Sequence, residues 1–394
     1  MPGSNSALSL LNSRFGPGDS ASVVSVPGRV NLIGEHIDYH DLPVLPMGIQ
    51  RRIWIAFRIR RDSLIRAISA GPYGEREFHL PAHADPGLLG DWANYLRAAA
   101  HAVNSRWTLT RGIDAAITSN LPPAAGLSSS SALLVGFTLA LLKANNISPN
   151  FGELMEILPE GEQQVGTRGG AMDHAAVLGC KEGCALLVNF APLEISPIPI
   201  PDGWSFIVAH SLTTAEKSGG MRSEYNGRRT AGAHALKQLG FASYRSAMET
   251  HSHGELAALA SQSGQGQLGD DEMRSFLHVV TEGFRVEEAV AALQRADATV
   301  FGKLLSASHA SLRDQLRVSS PALDSLVEIA HRSGALGARL TGAGFGGCVV
   351  ILCKASDNER LRANLVKNYY SQHPNFDPEN HIIVAEPSSG AALE

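Results

Sequence analysis

The chain is poor in cysteine, has no excess of basic charge and lacks any long apolar run. Its four cysteines in 394 residues are too few and too scattered for a disulfide framework. Cys180 and Cys184 lie together in "CKEGC", while Cys348 and Cys353 are far downstream. That spacing matches no usual zinc pattern and no histidine is paired with it, so buried free thiols are expected. Lys plus Arg is 33 against 38 Asp plus Glu, a net charge of -5. Such a balance excludes the electrostatic footprint of a nucleic-acid binder and a polybasic membrane surface. The most apolar stretch, Ala132 to Ala144, is shorter than the roughly 20 residues needed to span a bilayer. The opening residues "MPGSNSALSLLNSRFG" show no basic n-region followed by an apolar stretch, so a cytoplasmic protein is expected.

What is present is apolar residue in quantity, 44% of the chain, enough for a large core and for two domains. No repeat of fixed period is visible. Strand-like runs ("ASVVSVP", "RRIWIAFRI", "GIDAAITS", "CALLVNF", "SFIVAHS", "GCVVILC", "HIIVAEP") alternate with helix-like ones ("DWANYLRAAAHAVN", "SSALLVGFTLALLKANN", "GELMEILPEGEQQVG", "GGMRSEYNGRRTAGAHALKQLG", "PALDSLVEIAHRSG"). That alternation predicts an α/β or α+β class. The three prolines and the glycine of Ser196–Trp204 predict a linker or domain crossing near residue 200. The Gly-rich, polar stretch Ser261–Glu272 predicts an exposed connection.

Four segments carry chemistry. In "GRVNLIGEHIDYH" (Gly28–His40), Arg29 and Asn31 alternate with Val30 and Leu32 along a strand that Gly34 breaks. Glu35, His36, Asp38 and Tyr39 then crowd the strand end. In "LPPAAGLSSSSALLVGFTLALLKANN" (Leu121–Asn146), small residues lead into a helix start, with serine as its N-cap. Unpaired N–H groups and the dipole make such a start a plausible phosphate cradle. Taken alone, an ordinary serine-capped core helix reads as simply. The segment is not the P-loop of NTPases, since no lysine follows Gly126. In "GARLTGAGFGGCVVILC" (Gly337–Cys353), five glycines precede an apolar strand, as a tight turn or a close backbone approach would require. In "TRGGAMDHAAVLG" (Thr167–Gly179), glycines precede one carboxylate, Asp173, which by itself reads as a solvated or capping residue.

Taken together, these segments resemble the galactokinase branch of the GHMP small-molecule kinases. "PGRVNLIGEHIDY" matches the sugar signature, "LPPAAGLSSSSAL" the nucleotide loop and "GARLTGAGFGGC" the third motif; "WANYLRA", "AMDH" and "SEYNGRR" fall between them in the same order. The resemblance implies a two-lobed fold, with an S5-like N-terminal lobe over residues 1–200, a ferredoxin-like C-terminal lobe over 201–394, and the active site between them. It implies ATP-dependent phosphorylation of the anomeric hydroxyl of a sugar, galactose first. Arg29 and Asp173 would be catalytic, Asp173 as base and Arg29 as charge stabiliser. Glu35, His36, Asp38, Tyr225 and Gly346 would bind the sugar. Pro122, Gly126, Leu127, Ser128, Ser129, Ser130 and Gly344 would hold ATP, and Ser130 would ligate Mg²⁺. The partners implied are a small sugar and ATP, without nucleic acid or membrane, acting on a monomer, with a dimer as the open alternative.

Two departures from the family pattern bear on the substrate. After "HIDY" the turn "HDLPVLPMGI" holds no glycine until Gly48, and Pro43 fixes one backbone angle. Ala124 and Ala125 stand where glycine or another small residue is common. N-acetylgalactosamine, L-arabinose and a hexuronic acid are the alternative sugars; Glu35, placed near C6, disfavours the last. A catalytically silent sugar sensor is a different class, and the presence of both Arg29 and Asp173 argues against it. An isoprenoid or homoserine kinase is disfavoured by "GEHIDY" and "SEYNGRR".

Overall fold

The computed structural model describes residues 3–18, 20–81, 90–123, 125–166, 170–213, 219–263 and 268–394. Ala124, residues 167–169 of the Asp173 segment and residues 264–267 of the Gly-rich stretch lie outside the described residues. In chain order the first half carries α1 (Ser4–Phe15), β1 (Ser22–Ile33), β2 (Leu45–Ile59), β3 (Leu64–Ser69), β4 (Gly74–His79), α2 (Ala93–Asn104), β5 (Ile113–Ser119), α3 (Ser129–Ala144), α4 (Phe151–Gln164), α5 (Met172–Gly179), β6 (Cys184–Phe190) and β7 (Leu193–Pro199). The second carries β8 (Trp204–His210), α6 (Gly219–Gln238), α7 (Tyr244–Thr250), α8 (His253–Ser263), α9 (Asp270–Gln294), α10 (Ala298–Asp314), α11 (Pro321–Arg332), β9 (Gly337–Thr341), β10 (Cys348–Lys354), α12 (Asn358–Asn368), α13 (Pro378–His381), β11 (Ile382–Ala385) and β12 (Ala392–Leu393).

Two sheets organise these elements. A six-stranded sheet runs β12-β1-β2-β5-β3-β4. Inside it β1 is buried on both faces almost throughout, so its polar members Arg29 and Asn31 need partners within the protein. Helix α3 packs on β1 and β2 and also touches α2, α4 and α5. It is apolar on nearly every side, as a helix enclosed by other elements must be.

The second sheet, β11-β8-β10-β9, is antiparallel throughout. Its chain path, a strand, a run of helices, two strands, α12 and a last strand, is ferredoxin-like. Period-two alternation divides its side chains between two cores. Phe206 and Val208 of β8, with Val350 and Leu352 of β10, join the main core that extends into the first sheet. Ile207, Ala209, Val349 and Ile351 face α11 and α12 on the other side. The two halves are therefore packed through one continuous apolar interior.

Two expectations are corrected. The proline-rich stretch is not all linker: Ser196, Pro197 and Pro199 lie in β7, paired among the described residues only to β6, where a missing backbone donor can face away from the ladder. The crossing to β8 is confined to residues 200–203. The stretch Ser261–Glu272 is not all connection either. Ser261 lies in the last turn of α8, and Asp270, Asp271 and Glu272 open α9, where acidic side chains complement the positive helix end. No helix among the described residues is long and apolar enough to cross a membrane.

The C-terminal residues return to the first half. After β11, Ser388 N–H donates to the Gly48 carbonyl (2.9 Å), Gly390 to Cys180 (2.7 Å) and Ala391 to Val177 (2.7 Å), and β12 then pairs with β1. Arg52 stitches this strap down. Its guanidinium donates to the Ser25 hydroxyl (2.7 Å), the Ser388 hydroxyl (3.0 Å) and the carbonyls of Ser389 and Gly390 (both 2.9 Å). Arg52→Ala leaves these acceptors unanswered and is expected to cost about 2 kcal/mol, read as a lower urea midpoint at unchanged slope. An unchanged midpoint would show that the strap is held without Arg52.

Candidate functional site

Arg29 leaves β1 with its side chain only 5% exposed, while Asp173 in the first turn of α5 remains 25% exposed. The guanidinium grips the acid through Nε (2.8 Å) and Nη2 (2.7 Å) on Oδ1. Ser128 Oγ donates to the other carboxylate oxygen at 2.7 Å. Burial alone would raise the acid's pKa, but the Arg29 cation and the Ser128 hydroxyl outweigh it and hold Asp173 below the usual carboxylate range. The exposure difference decides which of the pair can meet a ligand directly: the acid reaches solvent and the cation stands behind it.

The same arginine organises the serine loop. Its Nη1 donates to the Gly126 carbonyl at 2.7 Å, and its backbone N–H donates to the Leu127 carbonyl at 3.2 Å. Leu127 and Pro122 are buried, which anchors the loop at both ends. The expected serine N-cap is corrected. Ser128 precedes α3 in a left-handed conformation and makes no capping hydrogen bond, because its hydroxyl is aimed at Asp173 instead. The α3 N–H groups are thereby left without a side-chain cap. Ser129 and Ser130, half-buried in the first turn, make no side-chain hydrogen bond among the described residues.

The sequence reading missed Glu162. It reaches from α4 to accept from Ser131 Oγ at 3.1 Å, with His174 Nε2 3.3 Å away. A carboxylate beside the hydroxyl of Ser130's neighbour is the oxygen donor set that a hard divalent cation favours, so the residues fit Mg²⁺. In the sequence Glu162 is one of four glutamates of a single helix, indistinguishable from its solvated neighbours.

The turn after β1 gathers the residues expected to read a sugar. His36 Nε2 approaches the Ala343 carbonyl (3.2 Å) and Nδ1 the Tyr39 hydroxyl (3.0 Å). A carbonyl only accepts, so Nε2 carries the proton and Nδ1 accepts from tyrosine. Burial pushes His36 down to about 3, consistent with this neutral form. The Tyr225 ring, on α6, lies 5.1 Å from that of His36 and 5.9 Å from that of Tyr39. Asp38 Oδ2 accepts from Met172 N–H at 3.4 Å. Burial, then the charge of Asp173, pushes Asp38 up to about 7. Gly170 abuts this carboxylate so closely that a Cβ would fall 1.9 Å from Oδ2. The glycine-free turn is accommodated by Asp41, which takes the left-handed conformation (φ 60°) that aspartate tolerates.

Glu35 is engaged more by the protein than its motif suggests. Its Oε2 accepts from Arg339 Nη2 (2.6 Å) and Asn31 Nδ2 (3.2 Å), and the Gly342 N–H also donates to its carboxylate. Burial raises its pKa, and Arg339 opposes the rise. Arg339, fully buried in β9, also holds the carbonyls of Asn31 (3.1 Å) and Leu32 (2.9 Å). It lies in a segment whose glycines alone drew notice in the sequence. Those glycines bring backbone to backbone. A Cβ at Gly342 would lie 3.3 Å from the Gly126 carbonyl oxygen, and one at Gly347 3.6 Å from that of Ala125. A Cβ at Gly344 would strike the Val318 carbonyl oxygen at 2.2 Å, and Gly346 is buried beside it. The third motif thus lies directly on the serine loop.

Comparison with known proteins gives the family. The galactokinase galactose-binding signature matches residues 11–59, the GHMP kinases N terminal domain residues 94–180 and the GHMP kinases C terminal domain residues 289–372. A galactokinase of Roseiflexus sp. (strain RS-1) is 36% identical over 356 residues, covering 88% of this chain and 87% of its own. One from Actinobacillus pleuropneumoniae serotype 3 is 33% identical over 360 residues, 90% of each. The crystal structure of Lactococcus lactis galactokinase complexed with galactose matches with a TM-score of 0.86 at 26% identity, covering 97% of both chains. The mevalonate kinase of Methanococcus jannaschii, at 18% identity and a TM-score of 0.65 over 95% of this chain and 100% of its own, shares the fold. The chain belongs to the GHMP kinases and, within them, to the galactokinase family.

Proposed function

We propose that this protein transfers the γ-phosphoryl group of ATP to the anomeric hydroxyl of galactose. The observation that carries the reading is Asp173, held ionised between Arg29 and Ser128 where the sugar turn meets the serine loop. Galactose is favoured over the other sugars by the galactose-binding signature across residues 11–59 and by the likeness to a galactokinase complexed with galactose.

In the reaction a bond forms between the sugar oxygen and the γ-phosphorus, and the bond from that phosphorus to ADP breaks in line. Phosphoryl transfer asks the protein mainly for position and charge. Asp173 aligns the hydroxyl and receives its proton. A carboxylate with a depressed pKa is a weak base, so the proton moves late, after the bond to ADP has loosened. Arg29 keeps the acid ionised and, from behind it, adds positive potential against the charge that develops on the phosphoryl oxygens.

The loop Pro122–Ser130 wraps the phosphates, with Gly126 and Leu127 set by Arg29 and with the Ser128 backbone N–H, Ser129 and the α3 N-terminus as donors. Mg²⁺ would be held by Ser130 and Glu162 and would neutralise phosphate charge. Glu35, His36, Asp38 and Tyr225 surround the sugar, and Gly344 and Gly346 close the site from the second lobe. We place the division between lobes near residues 200 and 201, with the C-terminal strap returned to the first.

Asp173→Asn should lower kcat by about two orders of magnitude in a coupled ADP-release assay, the small end of the range for acid–base groups because the base is weak. Wild-type kcat in that variant would remove the base role. Arg29→Ala should both lower kcat and raise the ATP KM, since Nη1 also holds the Gly126 carbonyl.

Asp38 gives a pH test. Its raised pKa means that the folded protein keeps a proton between about pH 4 and pH 7 that the unfolded chain has lost, so Asp38's contribution to stability falls as pH rises through that window. A sugar hydroxyl that donates to Asp38 selects the ionised form. Galactose affinity should therefore rise about tenfold from pH 6 to pH 8, and Asp38→Asn should flatten that dependence in a calorimetric titration. An equal slope in the variant would assign the dependence to another group.

A further inference from the structure

We propose that Glu282 and His278, in the middle of α9, are positioning residues that set the sugar-reading turn from the second lobe. The inference rests on the sugar-kinase reading above and adds to it the groups that hold the sugar contacts in place.

The turn Gly34–His36 cannot hold itself. Gly34 leaves β1 at φ +99° and His36 sits at φ +61°, so neither residue continues the ladder that satisfied the strand's backbone. A Cβ at Gly34 would lie 3.0 Å from Val44 Cα and 3.1 Å from Val286 Cγ2, so glycine is required by space as well as by angle. Three of the freed backbone groups are answered by α9. The N–H groups of Gly34 and Glu35 both donate to Glu282 Oε1, at 3.0 and 3.3 Å. The Glu35 carbonyl accepts from His278 Nε2 at 2.9 Å. Since that carbonyl can only accept, His278 Nδ1 accepts in turn from the Ser311 hydroxyl at 2.9 Å.

Both residues are fully buried, and α10 braces each of them. Ser308 Oγ donates to Glu282 Oε1 at 2.7 Å, while Arg285 Nε takes Oε2 at 2.8 Å. Burial opposes ionisation of Glu282, but Arg285, His278 and Arg339 overcome it and hold the acid down at about 2. A fixed anion facing two consecutive N–H groups is an oriented clamp, because charge-assisted bonds are stronger and more directional than neutral ones. An ion pair that served packing alone would have no reason to place one oxygen on the turn.

Neither residue makes a hydrogen bond to Asp173, to Arg29 or to the serine loop among the described residues. Their influence therefore runs through the turn, whose side chains face the sugar, and the nucleotide loop is set separately by Arg29. Loosening the clamp should weaken sugar binding and spare ATP.

The test compares Glu282→Ala, Glu282→Gln, Ser308→Ala, His278→Ala and His278→Gln with wild type. Galactose KM, ATP KM and kcat are measured, with melting curves to confirm folding. Glu282→Ala should raise the galactose KM about a hundredfold and Ser308→Ala about threefold to tenfold, with the ATP KM within about twofold in both. Glu282→Gln keeps one acceptor for the turn and should fall between them. His278→Gln, whose amide can still donate to the Glu35 carbonyl, should recover much of what His278→Ala loses. Should Glu282→Ala fail to fold, Ser308→Ala and the His278 pair carry the test. An unshifted galactose KM in folded variants, or a parallel rise in the KM of both substrates, would overturn the clamp while leaving the sugar-kinase reading intact. A wild-type protein inactive on every monosaccharide would overturn that reading, and the clamp with it.

Discussion

A guanidinium shut away from water needs partners within the protein, and Arg339 finds them for Nη1 and Nη2 where β9 meets the end of β1, while its Nε has no hydrogen-bond partner among the described residues. It holds two carbonyls at the end of β1 and the carboxylate of Glu35, which itself follows β1 in the chain. Leaving such a charge unanswered would cost several kcal/mol. The end of β1 is therefore locked to β9, and everything that leaves that end inherits the lock. His36 extends it by donating to the Ala343 carbonyl in the third motif. Thr341 extends it by exchanging hydrogen bonds with the backbone of Asn31.

The second organising cation, Arg29, works by division of its donors. Two grip Asp173 and one holds the Gly126 carbonyl, so the acid and the nucleotide loop are set by the same rigid plane. The arrangement yields an acid that stays ionised but binds protons weakly. Asp38 nearby has the opposite tuning, because burial beside another carboxylate favours its neutral form. Two acids a short way apart are thus driven in opposite directions by their surroundings, one by a buried cation and one by its own burial and then by a neighbouring carboxylate.

Much of this architecture was legible in the sequence. Periodicity and turn residues marked β1, β2, β8 and β10, and the apolar stretch of α3, because those elements bury side chains in patterns that repeat along the chain. The prolines of β7 misled, since a two-stranded edge tolerates what a central strand does not. The short return of β12 onto β1 could not be read: two residues carry no period, and their place depends on a partner at the other end of the chain.

What the sequence by itself determined is the set of local chemistries and their order: a polar cluster where a strand is broken, small residues before a helix, glycines before a strand, and a family resemblance that ties them together. Only the tertiary structure decided which charges answer one another. Ser128 was legible as a cap and serves Asp173; Arg339 was hidden among glycines and holds Glu35; Glu282 lies 248 residues from the Gly34 N–H it accepts. A buried charge is satisfied by whatever lies within about 3 Å in space, and that distance has no counterpart along the chain.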